Sequence, residues 1–475
     1  MAAEPGDTGA APVSDPARAG RPGRVVLRYE DSWPELLGQL AVDHAAALVP
    51  SRARELALAL CDPGSFVEIG VLARREARSY EAGEDGPEAD GDGLRSEIDV
   101  PVDGLVAGWG TRGGRPVFVA ADDAALGGPV RGGAAASKVT RVRDHATTKG
   151  GPIVQIHETA RVPDGLYLGS EIARYGYGVD LAWEVAAVGA IPKVAVVAAP
   201  VASQAAIEAS WAHAVVLAGD ATIDLGGGPL GGVAALRAGL ADAVCADAGD
   251  AVAMAGRLID LLPTSRWDSP PPAPPADPAG TPRPGDAPHT VADAILDAGS
   301  GFSLLTGFAT DTFTAVGRIA GAVVGIAAPA LGELGAAAAV KVERLVRLCD
   351  TFRLPLVVVH GDVRLATGDV EAVGGGRRLL DALGAVTIPL IALDVSGVSP
   401  LAAPGSLGAA VALDLAWHNS GTERPAPADE MVEPAGSRAA LEAALRSVTV
   451  ARPAAWEVAL GRSGAEPTLF TRAAD

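Results

Sequence analysis

Histidine and arginine recur in this sequence at one fixed interval. The stretch PIVQIHETARVPDG (Pro152–Gly165) returns 203 residues later as PLVVVHGDVRLATG (Pro355–Gly368), with Pro, His, Arg and Gly at matching offsets. His157 and His360 titrate near neutrality and suit general acid/base work. The plainer reading is a turn-capping histidine bonded to backbone. Glu158 could orient the neighbouring ring, act as a base or stay a solvated turn carboxylate, and Thr159 adds a backbone N–H beside it. Arg161 and Arg364 match each other; they suit bidentate binding of a phosphate or carboxylate, and equally the bracing of local carbonyls. Gly127, Gly128, Gly132 and Gly133 precede a helix, where backbone N–H groups favour an anionic ligand.

Both histidines need a scaffold that presents them. PIVQIHE and LPLVVVH are short apolar runs bounded by turn formers, which predicts strands. The segments before them, GGAAASKVTRVRDHATTKG (Gly132–Gly150) and GAAAAVKVERLVRLCDTFR (Gly335–Arg353), have polar residues at helical spacing. Lys138 and Lys341 keep the same 203-residue interval. Further strands are predicted at GRPVFVAADD, IPKVAVVAAP, GAVVGIAAPA and IPLIALDVSG. Further helices are predicted at GSEIARYGYGVDLAWEVAAVG, GGGRRLLDALGAV and AGSRAALEAALRSV. Apolar strands alternating with helices imply a mostly parallel, buried sheet in an α/β fold. Ligands in such sheets collect at the carboxyl ends of strands, where both histidines stand. Trp109, Trp211 and Trp417 read as core, and Cys349 as buried filler on an amphipathic helix.

A chain of 475 residues is too long for one hydrophobic core. The run SPPPAPPADPAGTPRPGDAP (Ser269–Pro288) cannot build a helix or a central strand, and reads as an extended linker. The predicted organisation is a disordered lead over residues 1–24, an N-terminal domain over 25–265, the Pro-rich linker over 266–289 and a C-terminal domain over 290–475. The formal charge of −20 argues against a nucleic-acid partner. No apolar run reaches the roughly 18 residues of a membrane helix, so no membrane association is expected. Cys61, Cys245 and Cys349 stand far apart and support neither a disulfide framework nor a zinc site, so a cytoplasmic location and no metal are expected.

Several stretches in this order resemble the carboxyltransferase β-subunit family of biotin-dependent acyl-CoA carboxylases. They include LCDPGSFVEIG, DGLVAGWGTRGGRPVFV, ALGGPVRGGAAASKVTRVRDHATTKGGPIV, WAHAVVLAGDATIDLGGG, AAVKVERLVRLCDTFRLPLV and ALDLAWHNS. The resemblance spans roughly Pro50 to Val448. It implies two tandem crotonase-like domains, each a superhelix of ββα units. It also implies transfer of a carboxyl group from carboxybiotin to the α-carbon of a short acyl-CoA. Two pairs of backbone N–H donors would stabilise the thioester enolate and the biotin ureido oxygen. By the same resemblance, Ala160, Gly165, Arg161, Arg364, Gly368 and the glycines of the loop would bind acyl-CoA, with His157, Glu158, Thr159, His360 and Gly397 nearest the chemistry. Dimers or hexamers of β-type subunits are implied. No lysine flanks Met1, Met254 or Met431, so no biotin is expected on this chain; a separate α subunit would carry it.

The site turns depart from the family pattern. HETARVPDG is two residues short where the family has Gly-Gly, and it puts Glu158 beside a developing enolate. After IPLIALDV the chain reads SGVSPLAAPGSLGAA, with Pro400 near an expected donor and Gly397 or Gly405 as alternatives. Two further readings therefore stand beside carboxyl transfer. One is a biotin-independent decarboxylase or related enolate-forming enzyme on a malonyl-type thioester. The other is a catalytically degenerate β-like subunit that assembles with an intact paralogue.

Overall fold

The helix and strand that precede each histidine form as a repeated pair. In the computed structural model, α-helices span Gly133–Lys149 and Ala336–Phe352, and strands span Ile153–His157 and Leu356–His360, each pair 203 residues apart. In the second helix Ala338, Val342, Leu345, Val346, Cys349 and Phe352 are buried, the three-and-four spacing of an inward face. All five residues of each strand are buried, because elements cover both faces of the sheet. The structure describes residues 48, 50–72, 75–79, 97–100, 104–123, 133–158, 166–167, 181–366, 369–396, 411–418 and 428–450.

Two seven-stranded sheets organise the molecule. The first contains β1 (Val67–Glu68), β2 (Leu105–Arg112), β3 (Arg115–Asp122), β4 (Ile153–His157), β5 (Lys193–Val197), β6 (Ala214–Ala218) and β7 (Ala243–Cys245). The second contains β8 (Phe302–Ser303), β9 (Phe313–Ile319), β10 (Ala322–Ala328), β11 (Leu356–His360), β12 (Leu390–Asp394), β13 (Val411–Trp417) and β14 (Glu430–Val432). Within each sheet the strands follow one another in chain order. Both open with two antiparallel pairings, and every later pairing is parallel. This is a ββα layer built twice. Its helices include α1 (Arg52–Leu60), α2 (Gly133–Lys149), α3 (Leu181–Val188), α4 (Ser203–Ser210) and α5 (Ala248–Leu261) in the first half. The second half adds α6 (Pro288–Ile295), α7 (Ala336–Phe352), α8 (Val370–Ala385) and α9 (Ser437–Val450).

One of several hydrophobic clusters spans the halves, and in it Val119, Ile156 and Val196 lie with Val316, Leu345 and Val358. A buried carboxylate pins them together. Asp242 accepts from Val215 N (2.8 Å) in the first half, and from Leu305 N (2.9 Å) and the Arg344 guanidinium (3.0 Å) in the second.

The proline segment is held in place by the C-terminal half. Pro271 O accepts from Arg318, Ala276 O accepts from Arg438, and Ala279 N donates to Leu296 O. With few N–H groups of its own, it satisfies its carbonyls with arginines of the C-terminal half. Trp417 and Cys349 are buried as expected. Trp211 is not core: it caps the C-terminus of α4, ahead of β6, and is 42% exposed. The expected helix over residues 169–189 is described from Leu181 to Val188.

Candidate functional site

In the first half, β3, β4 and β5 are parallel neighbours after the opening hairpin, so their carboxyl ends deliver side chains to one place. Asp122 ends β3 and His157 ends β4. The ring is fully buried, and its Nδ1 lies 3.7 Å from Asp122 Oδ2. His157 O accepts from Ala198 N, which fixes the strand end against the exit of β5. Glu158, the next residue, is also buried and pairs with Arg52 at 3.3 Å. The carboxylate thus faces a cation at the start of α1.

Lys138 is buried on α2 and donates to Leu105 O at the start of β2 (2.5 Å). Its stem passes against Gly70 at φ +61°, where a Cβ would stand 3.0 Å from the lysine methylenes. Glycine serves both needs there: a left-handed backbone and room for the stem. Lys341 repeats the device in the second half, donating to Phe308 O and Ala309 O. Burial pushes its ammonium down to about 8, against the opposing pull of Asp311 and Asp242. The duplicated lysines therefore brace the segments that lead into each sheet.

The second half places His360 at the end of β11 and Asp394 at the end of β12, as register partners. Both are 1% exposed. His360 Nδ1 lies 3.2 Å from Gly361 O, and Asp394 Oδ1 accepts from Ser396 N (2.8 Å) and Ser396 Oγ (2.6 Å). Burial lowers the pKa of His360, with Asp394 and Gly361 O pulling the other way. Arg364 lies outside this cluster. It is exposed and pairs with Asp362 (2.6 Å), a surface contact of small energetic weight.

Of the residues singled out in the sequence, His157, Glu158, His360, Arg364 and Gly133, which opens α2, are described. Gly127, Gly128, Gly132, Thr159, Ala160, Arg161, Gly165, Gly368, Gly397, Pro400 and Gly405 lie outside the described residues. Each strand-end histidine has a carboxylate neighbour that sequence reasoning passed over. Asp122 arrives from the preceding strand and Asp394 from the following one, so no single offset links them. Their common signal is an aspartate closing an apolar strand, in FVAAD and LIALD. Among the described residues no group of three or more His, Cys, Asp or Glu is placed to hold a metal.

This duplicated layer, with its chemistry-bearing residues at strand carboxyl ends, defines a mixed α/β protein of the crotonase-like type. It superposes on transcarboxylase 12S, solved with methylmalonyl-coenzyme A and methylmalonic acid bound, with a TM-score of 0.73 at 21% identity, over 93% of this chain and 100% of that one. A single-chain, multi-domain long-chain acyl-CoA carboxylase aligns with a TM-score of 0.65 at 21% identity, over 86% of this chain and 48% of that one. The carboxyl transferase domain family matches residues 51–395, and the chain belongs to it. The chain is 27% identical over 394 residues to a propionyl-CoA carboxylase beta chain of Roseobacter denitrificans, covering 74% of each. It is 28% identical over 391 residues to the methylmalonyl-CoA carboxyltransferase 12S subunit of Propionibacterium freudenreichii, covering 74% of this chain and 71% of that one.

Proposed function

We propose that this protein is an acyl-CoA carboxyltransferase subunit that exchanges a carboxyl group between carboxybiotin on a separate carrier and the α-carbon of a short acyl-CoA. The observation that carries the reading is the family match across both halves. It runs from α1 through the His157 and His360 strand ends to the exit of β12. Carboxyl transfer through an enolate needs no side-chain nucleophile, only fixed donors at the developing oxyanions and a geometry that excludes water. The buried strand ends supply the rigid base for such turns. The ion pair of Glu158 with Arg52 limits the negative field at the first of them.

A propionyl-CoA-sized acceptor follows from the relatives, which are named for propionyl-CoA and methylmalonyl-CoA. Assembly as a hexamer of β-type chains follows from the 12S structure, which is described as one. A biotin-carrying subunit completes the cycle, because the chain has no lysine beside a methionine. Among the described residues no helix is long and apolar enough to cross a membrane. All three cysteines are unpaired, which suits a reducing cytoplasm. The decarboxylase and degenerate-subunit readings gain no support from relatives named as carboxylases and carboxyltransferases.

The test is an assay of the purified chain with methylmalonyl-CoA, with and without a biotinylated carrier. Label from the free carboxyl group should appear on the carrier, and only when the carrier is present. Carbon dioxide released without carrier would favour the biotin-independent reading. No turnover in either arm would leave the degenerate subunit.

A further inference from the structure

Four arginines gather where the two halves meet, in a chain whose 58 acidic residues outnumber its 38 lysines and arginines. Arg112 and Arg115 flank the turn of the β2–β3 hairpin, Arg257 lies on α5, and Arg318 lies on β9. One carboxylate sits among them. Asp260 commits both of its oxygens to Arg112, at 2.9 and 2.8 Å. Among the described residues no carboxylate pairs with Arg115, Arg257 or Arg318, whose guanidinium partners are carbonyl oxygens. Asp297 also acts on Arg318, but it is itself paired with Arg438 at 2.6 Å. Three of those carbonyls, Ile259 O, Asp260 O and Leu262 O, close the end of α5. A helix C-terminus carries about half a negative charge, so it offsets only a fraction of three guanidiniums. The like charges also act on one another. Burial above all, with the Arg318 and Arg112 charges, lowers the pKa of Arg115 against the pull of Asp260. A positive surplus this concentrated calls for an anion.

A groove lies within this cluster. Arg257, Asp260 and Leu261 line it from the first half, and Ser300, Phe302 and Arg318 line it from the second. Its volume is about 200 Å³. That is several times the roughly 30 Å³ share of one water, and below the roughly 300–1,000 Å³ of a cofactor-sized pocket. The space suits a small anion rather than a whole acyl-CoA. Arg257 reaches Gly299 O (3.2 Å) and Gly301 O (3.3 Å) through Nη2 alone, so Nε and Nη1 remain to donate. Ser300 Oγ accepts from Arg318 N (3.0 Å), which leaves its hydrogen to donate. We propose that this groove is a phosphate site, in which Arg257 and Arg318 hold the phosphate oxygens and Ser300 Oγ donates to one of them. A tetrahedral dianion suits guanidinium forks converging with a hydroxyl. The site is separate from the strand ends that carry the histidines. Arg115 opens β3 and Asp122 closes it, seven residues on, or about 23 Å. A phosphate there ties the end of α5 in the first half to the turn before β8 in the second, and so stabilises the joint between them.

Titration calorimetry of the full chain at constant ionic strength tests the site, with inorganic phosphate, glycerol 3-phosphate and malonate as probes. No step of it depends on carboxyl transfer. Either phosphate should bind saturably, with a Kd of about 1 mM or below. Tighter binding of the monoester identifies a phosphorylated metabolite as the ligand, and equal binding identifies the phosphate group alone. Arg257→Gln should weaken phosphate binding at least about tenfold, and Ser300→Ala at least about threefold. Arg257 is exposed and bonded only to carbonyls, so Arg257→Gln should keep the wild-type thermal midpoint when no ligand is present. In hydrogen exchange, phosphate should protect peptides covering residues 255–262 and 297–303 and leave those covering 152–158 unchanged. Absence of saturable phosphate binding, malonate bound more tightly than either phosphate, or undiminished affinity in both variants would overturn the proposal. Protection confined to residues 152–158 would overturn it as well.

Discussion

Replacing Asp242 with alanine is expected to destabilise the protein by about 4 kcal/mol, more than any surface charge change could. The side chain is fully buried and accepts two backbone N–H bonds, one from each half, besides pairing with Arg344. Alanine leaves the amides of Val215 and Leu305 without acceptors, at about 1–3 kcal/mol each. Arg344→Met should cost only about 1 kcal/mol, because its partly exposed guanidinium leaves Asp242 with both amide bonds. Urea unfolding should show the two variants in that order. Equal losses would mean that the ion pair, rather than the amide bonds, joins the halves. The same region is acid-sensitive. Burial above all, with the Arg344 and Lys193 charges, pushes His213 down to about 4. Its folded pKa lies below its unfolded one, so stability is fully present at neutral pH. It should be lost as pH falls from about 6.5 toward about 4.

Lys193→Met is the second large effect, at about 3–5 kcal/mol. Lys193 is fully buried, and its ammonium contacts both oxygens of Glu184 (2.7 and 2.6 Å) and Glu208 O (3.1 Å). Methionine fills much of the same volume but leaves the Glu184 carboxylate without its cation in a site where it is 2% exposed. The double change Lys193→Met with Glu184→Leu should recover most of the loss, since two apolar side chains can replace a buried ion pair at little cost. Calorimetric midpoints of the two single variants and the double measure this directly. A double variant no better than Lys193→Met would show that the pair does more than satisfy itself.

The repeat made much of this fold readable. Alanine-rich helices and five-residue apolar strands at a 203-residue interval are local patterns, and both halves carry them. The strand ends followed from the same pattern, which is why the sequence places His157 and His360 there. What stayed hidden depends on register between distant strands. Asp122 meets His157 through the pairing of β3 with β4, and Asp394 meets His360 through that of β11 with β12. Arg344 reaches Asp242 across 102 residues. Trp211 misled because an apolar run does not reveal where a helix stops and a strand begins. The carbonyl contacts of the proline segment with Arg318 and Arg438 were not legible.

Amide hydrogen exchange with and without an acyl-CoA tests most directly whether the thioester binds at these strand ends. Peptides covering residues 152–165 should gain protection with propionyl-CoA, and those covering 388–405 should gain it when a biotinylated carrier is added. Protection confined to other segments, or none at saturating ligand, would contradict a site built on the ends of β4 and β12.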